Sequence, residues 1–365
     1  MKTIRTLIYG EVISAVAFVT LGFLALFFFF DFVDELQGIG QGGYQLRHAL
    51  LYVALLIPSH LYELLPITVL IGCIFVMARL AESSEYTILR TSGLGPWRAL
   101  KTLLVLGAGF VVLTFLIGDY AAPASDRTAQ LLKSRYQGLI TVGQTGAWLK
   151  EKQDYNSYAA NVAALTPDGN MQRIRIFEFD NRGFLVSLMQ AEKGRFGEDD
   201  SWLLEKVERS EFTTRGANDA RVERLQSASF RWPTSLTAEM VSAALLKPDR
   251  MRTVDLFQYI RHLNANGQTA QRYEIEFWRK VFYPLSCLVM VVLALPFAYL
   301  HFRAGGITSY VFGGVMIGIS FFLLNNVFGY VGTLQNWWPW LTAAAPGLIY
   351  SVFSLAAFGW LVLRR

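Results

Sequence analysis

Charge is scarce in this 365-residue chain: only 17% of it is charged, where about 25% is usual for a soluble domain. Hydrophobic residues make up 53%, so an ordinary soluble globular protein is excluded and a membrane protein is implied. Cysteine is nearly absent. Cys73 and Cys287 both sit inside apolar runs and neither has a metal-ligand companion, which excludes a disulfide framework and a thiolate metal site. Each reads as a small buried apolar side chain. No G-x-x-x-x-G-K-[ST] sequence occurs, so the chain has no loop of its own to cradle ATP phosphates. It has no nucleophile elbow, and its four histidines, His48, His60, His262 and His301, are scattered. The expectation is a protein without catalytic residues, metal site or cofactor. Its basic residues lack the aromatic interleaving of a nucleic-acid platform, so no nucleic-acid partner is expected.

What the chain does have is long apolar runs. Six satisfy the spanning criterion of about 20 mainly apolar residues: Val12–Phe30, His60–Ala78, Trp97–Ile117, Val281–Leu300, Ile307–Tyr330 and Trp340–Leu363. The first is too long for a signal-peptide core and ends in four phenylalanines, so it reads as a retained membrane helix. A further apolar piece, Ala49–Ile57, is expected to end at Pro58 and to protrude or lie at the outer interface. Lys2, Arg5, Arg79, Arg90, Arg98, Lys101, Arg303, Arg364 and Arg365 all fall on one side of these spans. The opposite short loop carries Asp31, Asp34 and Glu35 against Arg47. By the positive-inside rule both termini are cytoplasmic.

Between the third and fourth spans lies a hydrophilic insert placed outside the cytoplasm. Arg173-Ile174-Arg175-Ile176-Phe177-Glu178-Phe179 alternates with period two, and Asp180-Asn181-Arg182-Gly183 reads as a turn. Short runs at Phe184–Met189, Trp202–Val207 and Val222–Trp232 follow. The expected fold is α-helical in the membrane, with six spans and an inserted all-β, jelly-roll-like domain. The divisions are residues 1–123, holding the first three spans, 124–250 for the β-domain, 251–280 for a helical connector, and 281–365 for the last three spans.

A polar island, Glu82-Ser83-Ser84-Glu85-Tyr86-Thr87-Ile88-Leu89-Arg90-Thr91-Ser92-Gly93-Leu94-Gly95-Pro96, separates the second span from the third. Its grammar is that of a short helix over about 83–92. Ser83 or Ser84 is positioned to cap the start, and Glu85 sits at the positive end of the dipole. Gly93 offers a left-handed stop, and Gly95-Pro96 prevents continuation. Tyr86, Ile88 and Leu89 give it a partly apolar face, with Glu82, Glu85 and Arg90 in water. An ordinary polar loop accounts for these residues as well.

Ionisable residues also stand at membrane level: Glu63, Asp119 and Arg279-Lys280 near the outer side, with Lys133 and Arg135 just beyond the third span. Such groups are costly there unless wet or paired. Snorkelling explains them, and so does a ring of cations for a phosphate-bearing lipid. Gly313-Gly314 and Gly318 in the fifth span permit close helix packing, or a separable seam.

Several segments resemble the lipopolysaccharide export permeases of the LptF/LptG family. They are Phe32-Val33-Asp34-Glu35-Leu36, Gly40-Gln41-Gly42-Gly43-Tyr44, Tyr62-Glu63-Leu64-Leu65-Pro66, Ser84–Gly93, Tyr259–Leu263 with Arg272-Tyr273, and Lys280–Leu285 leading to Ala294-Leu295-Pro296-Phe297. The resemblance runs in order along essentially the whole chain. It implies one permease of an ABC transporter in the bacterial inner membrane, paired with an LptF-like permease and powered by a cytoplasmic LptB-like ATPase dimer. ATP and Mg would be bound by that ATPase. Lipopolysaccharide would enter from the outer leaflet, pass to the periplasmic β-domains, and leave through an LptC-like single-span protein. The family's coupling helix falls on Ser84, Glu85, Tyr86, Leu89 and Arg90, with Glu85 at the acidic position. Some members carry lysines at the outer end of the first helix; here stand Asp31, Gln37 and Gly38. The lipid-binding expectation therefore moves to Lys133, Arg135, Arg279 and Lys280, or to Asp31 through a bridging divalent cation. A permease for another lipid or lipoprotein is the alternative, as is a membrane-anchored β-domain that transports nothing.

Overall fold

The computed structural model describes residues 2–40, 43–137, 146–153, 155–166, 169–197, 199–214, 220–245, 248–299 and 307–363. In chain order the helices are α1 (Lys2–Glu35), α2 (Leu46–Glu82), α3 (Glu85–Thr91), α4 (Pro96–Leu116) and α5 (Ala122–Gln137). Six strands follow: β1 (Ala147–Gln153), β2 (Asn156–Leu165), β3 (Met171–Phe179), β4 (Leu185–Phe196), β5 (Ser201–Thr214) and β6 (Ala220–Pro233). Then come α6 (Ala238–Leu245), α7 (Thr253–Ala265), α8 (Gln271–Phe282), α9 (Ser286–Ala294), α10 (Ile307–Leu334) and α11 (Pro339–Ala357). The chain divides into two compact units, one of Met1–Gln37, Val53–Asp126 and Glu274–Arg365, the other of Gly38–Tyr52 and Arg127–Tyr273.

The first unit is the membrane bundle. Among the described residues, five helices are long and apolar enough to span, and six if α8 and α9, bent by 46° at a short break, form one crossing. The helices form because in hydrocarbon every backbone N–H and C=O must be satisfied within its own segment. The expected break at Pro58 does not occur. Pro58 and Pro66 both lie inside α2, which runs unbroken for 37 residues. At a rise of about 1.5 Å per residue it is roughly 55 Å long, well beyond a hydrocarbon core of about 30 Å. Proline removes one N–H but leaves the rest of the ladder intact, and other donors can take up freed carbonyls. Near Pro58, the Ser125 hydroxyl donates to the Leu55 carbonyl at 2.6 Å.

α1 is joined to α2 at three levels. Arg79 pairs with Glu11. The Thr20 hydroxyl donates to that of Thr68 at 2.9 Å in the buried middle, and His60 Nε2 lies 2.6 Å from the Asp31 carboxylate. Gly72 sets the spacing: a Cβ there would stand 2.6 Å from Val16 Cγ2 and 2.8 Å from its backbone nitrogen. On another side of α2, Gly314 and Gly318 of α10 approach Ile74 and Ile67 so closely that an added Cβ would lie 2.7 Å and 2.6 Å from them. The glycines of the fifth span therefore serve close packing.

The second unit carries the inserted antiparallel β-domain. Its single six-stranded sheet has the consecutive order β1-β2-β3-β4-β5-β6, each strand antiparallel to the next. The alternation read in β3 is real: Ile174 and Ile176 are buried between the exposed Arg173 and Arg175. The turn after it is held by Asp180 Oδ1, which accepts from the Arg182 and Phe184 amides at 2.9 Å each, with Gly183 left-handed at φ 84°. Trp202 is buried and its indole N–H donates to the Leu236 carbonyl at 2.8 Å, tying β5 to the chain after β6. Glu151 of β1 is also buried. Its carboxylate accepts from Thr234 Oγ1 at 2.5 Å, from the Ser235 amide at 2.7 Å, from Ser235 Oγ at 2.6 Å and from Gln153 Nε2 at 3.0 Å. Burial is tolerated because those donors replace its water.

Two outcomes follow from this packing. Gly72→Ala forces α1 off α2 and costs about 1–3 kcal/mol, as overpacking does; thermal unfolding in detergent should show a lowered midpoint, and an unchanged one would refute the close-approach account. Glu151→Ala strands its buried donors and costs about 1.5–3 kcal/mol in the β-domain. Thermal unfolding followed by the tryptophan fluorescence of that domain measures it, and Glu151→Gln should recover part of the loss.

Candidate functional site

The island folds as expected into a short helix, α3, of seven residues. Its start differs from the reading of the sequence. Ser84 occupies the N-cap position but in the left-handed region, at φ 62° and ψ 3°, and makes no side-chain capping bond. The Ser83 hydroxyl turns back to the Leu80 carbonyl at 3.5 Å instead, leaving the tight α2–α3 turn, not a serine cap, to define the helix start. The end is as read. Gly93 is left-handed at φ 99°; its amide donates to the Arg90 carbonyl at 3.1 Å and the Leu94 amide to the Leu89 carbonyl at 3.0 Å. That paired closure satisfies the last carbonyls, and buried Leu94 packs as its apolar plug.

The two faces of α3 differ sharply. Tyr86 is 4% exposed and Leu89 packs against the bundle core. Glu85, Ile88 and Arg90 point outward, with Ile88 62% exposed. The Tyr86 hydroxyl donates to the Tyr299 hydroxyl at 3.1 Å, and the two rings meet edge-on with centroids 5.2 Å apart. Burial, together with that hydroxyl partner, pushes the Tyr86 phenol up, so it stays neutral. Tyr299 closes the 3₁₀ turn Leu295–Tyr299 that follows α9. Tyr86 and Leu89, read from the sequence as part of the apolar face, are therefore the inward grip of α3 on the bundle. Ile88, which sequence periodicity assigned to the apolar face, is outside with Glu85. The signal that could have found it was the three-residue step from Glu85 to Ile88, offset from the step that joins Tyr86 to Leu89.

The membrane-level charges are mostly committed to internal partners. Lys280 is 6% exposed, and its ammonium donates to the Gly118 carbonyl at 2.9 Å in the π-helical turn Ile117–Ala121 between α4 and α5. A wide turn presents a carbonyl without its usual intrahelical donor, and a buried cation needs such an acceptor. Tyr62 lies against the same turn, its ring 5.8 Å from the Lys280 ammonium. Lys280 is thus bonded inside the bundle and is not one of its exposed cations. Arg279 is more open: its guanidinium bonds Glu276 at 2.8 Å and reaches Asn326 Oδ1 at 3.4 Å. Asp31 is paired with His60. Among the described residues no cluster of three or more metal-ligating side chains occurs. In the other unit, Lys133 lies over the Tyr52 ring at 4.7 Å. The Arg135 side chain lies outside the described residues.

Replacing Lys280 separates these readings. Lys280→Met leaves the Gly118 carbonyl without its cation and should cost about 1–3 kcal/mol, read as a lower unfolding midpoint in detergent. A midpoint unchanged from wild type would return Lys280 to the list of surface cations.

The geometry and the relatives converge. Residues 6–363 match the family described as lipopolysaccharide export system permease LptF/LptG. The lipopolysaccharide export system permease protein LptG of Escherichia coli (strain K12) is 28% identical over 337 residues, covering 92% of this chain and 90% of that protein. The protein of the same name from Haemophilus influenzae is 26% identical over 368 residues, covering 100% of this chain and 99% of its own length. Members of this family are multi-pass membrane permeases without a nucleotide-binding domain, working with partner subunits. With its membrane-length helices, its inserted antiparallel sheet and this match over nearly its full length, the chain belongs to the LptF/LptG family of lipopolysaccharide export permeases.

Proposed function

We propose that this chain is the LptG-type half of an inner-membrane ABC transporter, and that α3 is where a separate cytoplasmic ATPase dimer takes hold. The observation that carries the proposal is the division of α3 into an inward face, Tyr86 and Leu89, and an outward face, Glu85, Ile88 and Arg90. An exposed isoleucine beside a carboxylate on one face of a short helix suits a partner groove with an apolar floor and a basic rim. The basic flanks support a cytoplasmic position for α3 and both termini and a periplasmic one for the sheet. An LptF-like permease completes the pair, lipopolysaccharide rises from the outer leaflet to the periplasmic sheets, and an LptC-like protein receives it.

In this scheme the Tyr86–Tyr299 contact gives the ATPase stroke a second route. Movement of α3 is felt by α2 and α4, to which short turns join it, and also at the end of α9 through the hydroxyl pair. The lipid phosphates are met by basic groups near the outer side; the half-buried Arg279 and Lys133, with Arg135, are the candidates, and Lys280 acts from inside the bundle.

Co-purification with the ATPase tests the outward face. Ile88→Asp and Glu85→Lys should each weaken ATPase binding by about 2 kcal/mol, roughly thirtyfold, as for residues central to an interface. Full ATPase recovery with Ile88→Asp would sink the docking role. Tyr86→Phe should instead keep the ATPase bound and lower the lipopolysaccharide released per ATP hydrolysed; an unchanged ratio would remove the second route.

A further inference from the structure

A cavity of about 280 Å³ opens between the N-terminal parts of α1 and α4, lined by Ile4, Arg5, Tyr9, Leu94, Arg98, Lys101, Thr102 and Val105. That size is near the lower end of small-ligand sites, about 300–1,000 Å³. Its walls follow from helix spacing. Arg5 and Tyr9 stand four residues apart on α1, and Arg98, Lys101, Thr102 and Val105 form one stripe of α4. The Tyr9 hydroxyl donates to the Thr102 carbonyl at 3.1 Å and fastens the two helices under the cavity. The Arg5 guanidinium lies 6.0 Å from the centre of the Tyr9 ring.

Three cations therefore meet at one mouth. Arg98 spends one N–H on the Gly93 carbonyl at 3.1 Å, but no described carboxylate pairs with Arg5, Arg98 or Lys101. The nearby acid on α1, Glu11, is taken by Arg79. Deeper along α4 the lining turns apolar at Val105, while Ile4 and Leu94 add apolar wall beside the cations. Exposed apolar side chains continue the same stripes into the membrane: Ile13 on α1, Val105 and Val112 on α4. Cations at the rim with an apolar track beneath them match an amphiphile whose head is an anion. A free anion would have no use for the track.

We infer that this cavity binds the phosphate headgroup of an anionic phospholipid, its acyl chains lying along the Ile13 and Val105–Val112 stripes. It abuts the α3–α4 turn through Leu94 and Arg98. Basic pockets between membrane helices bind such headgroups, each Lys or Arg contributing about 1 kcal/mol.

The test is native mass spectrometry of the full chain in detergent, titrated with phosphatidylglycerol, with phosphatidylcholine, and with phosphatidylglycerol in the presence of inorganic phosphate. Wild type should hold phosphatidylglycerol at least about tenfold more tightly than phosphatidylcholine, and millimolar phosphate should not displace it. The combined variant Arg5→Gln, Arg98→Gln, Lys101→Gln should lose that preference. A charge-matched control with Lys150, Arg182 and Lys193 changed to Gln should keep it. Val105→Trp fills the apolar track with every cation in place and should weaken phosphatidylglycerol binding severalfold. If the combined variant unfolds, Lys101→Gln alone should still lower the preference. Equal loss in the control, or full binding by Val105→Trp, would reduce the effect to diffuse surface charge and overturn the site; displacement by phosphate would make it a free-anion site and overturn the lipid.

Discussion

The membrane bundle depends on how closely other helices can approach α2. Gly72 lets the backbone of α1 in at Val16, and Gly314 and Gly318 bring α10 onto Ile74 and Ile67. Lipid offers helices no hydrophobic reason to associate, since the tails are as apolar as leucine; association rests on close van der Waals contact and on interhelical hydrogen bonds. α2 has both, through its glycine contacts and through the Thr20–Thr68 bond in the buried middle. Its membrane window is mostly buried while that of α1 is mostly exposed, so α2 is the spine and α1 a strut laid against it.

That arrangement explains why a short helix at the end of α2 can act on the bundle. α3 follows α2 after a tight turn and is shut off from α4 by the Gly93 closure. It is only two turns long and would not be stable as a helix alone. What holds it is Tyr86 inserted against Tyr299 and Leu89 and Leu94 against the core. A push on the outward face is therefore delivered into packed side chains, which have discrete arrangements and do not absorb it as slack.

The sheet unit obeys a different constraint. One face of β1, β2 and β3 supplies small and branched apolar residues, and a buried carboxylate, Glu151, joins the start of the sheet to the segment just after its last strand. In water such an ion would be better left exposed. Inside, its bonds to Thr234 and Ser235 fix where the chain leaves β6, so specificity of the return path is what the buried charge supplies.

Much of this was legible in the residues. The spans, the inserted antiparallel strands, the Asp180–Gly183 turn and the short helix ending at Gly93 all follow from local rules: apolar length, period-two alternation and left-handed glycine. Those rules act between residues near in sequence, so a sequence carries them openly. Which way the side chains of α3 and α8 face does not follow from them. Lys280 read as a lipid ligand because charged groups at membrane boundaries are costly unless something meets them; its partner and those of Tyr86 and Asp31, the Gly118 carbonyl, Tyr299 and His60, lie 162, 213 and 29 residues away. Pro58 read as a stop because proline loses one bond, and only helix packing decided that the rest of the ladder outweighs it. Residues near one another in the chain were enough to mark a membrane protein with an inserted β-domain and a short helix between its second and third spans, and the resemblance to a family made it a permease. The tertiary structure decided which charges are spent inside, because a buried polar group is satisfied by whatever the fold brings to it, from any distance along the chain.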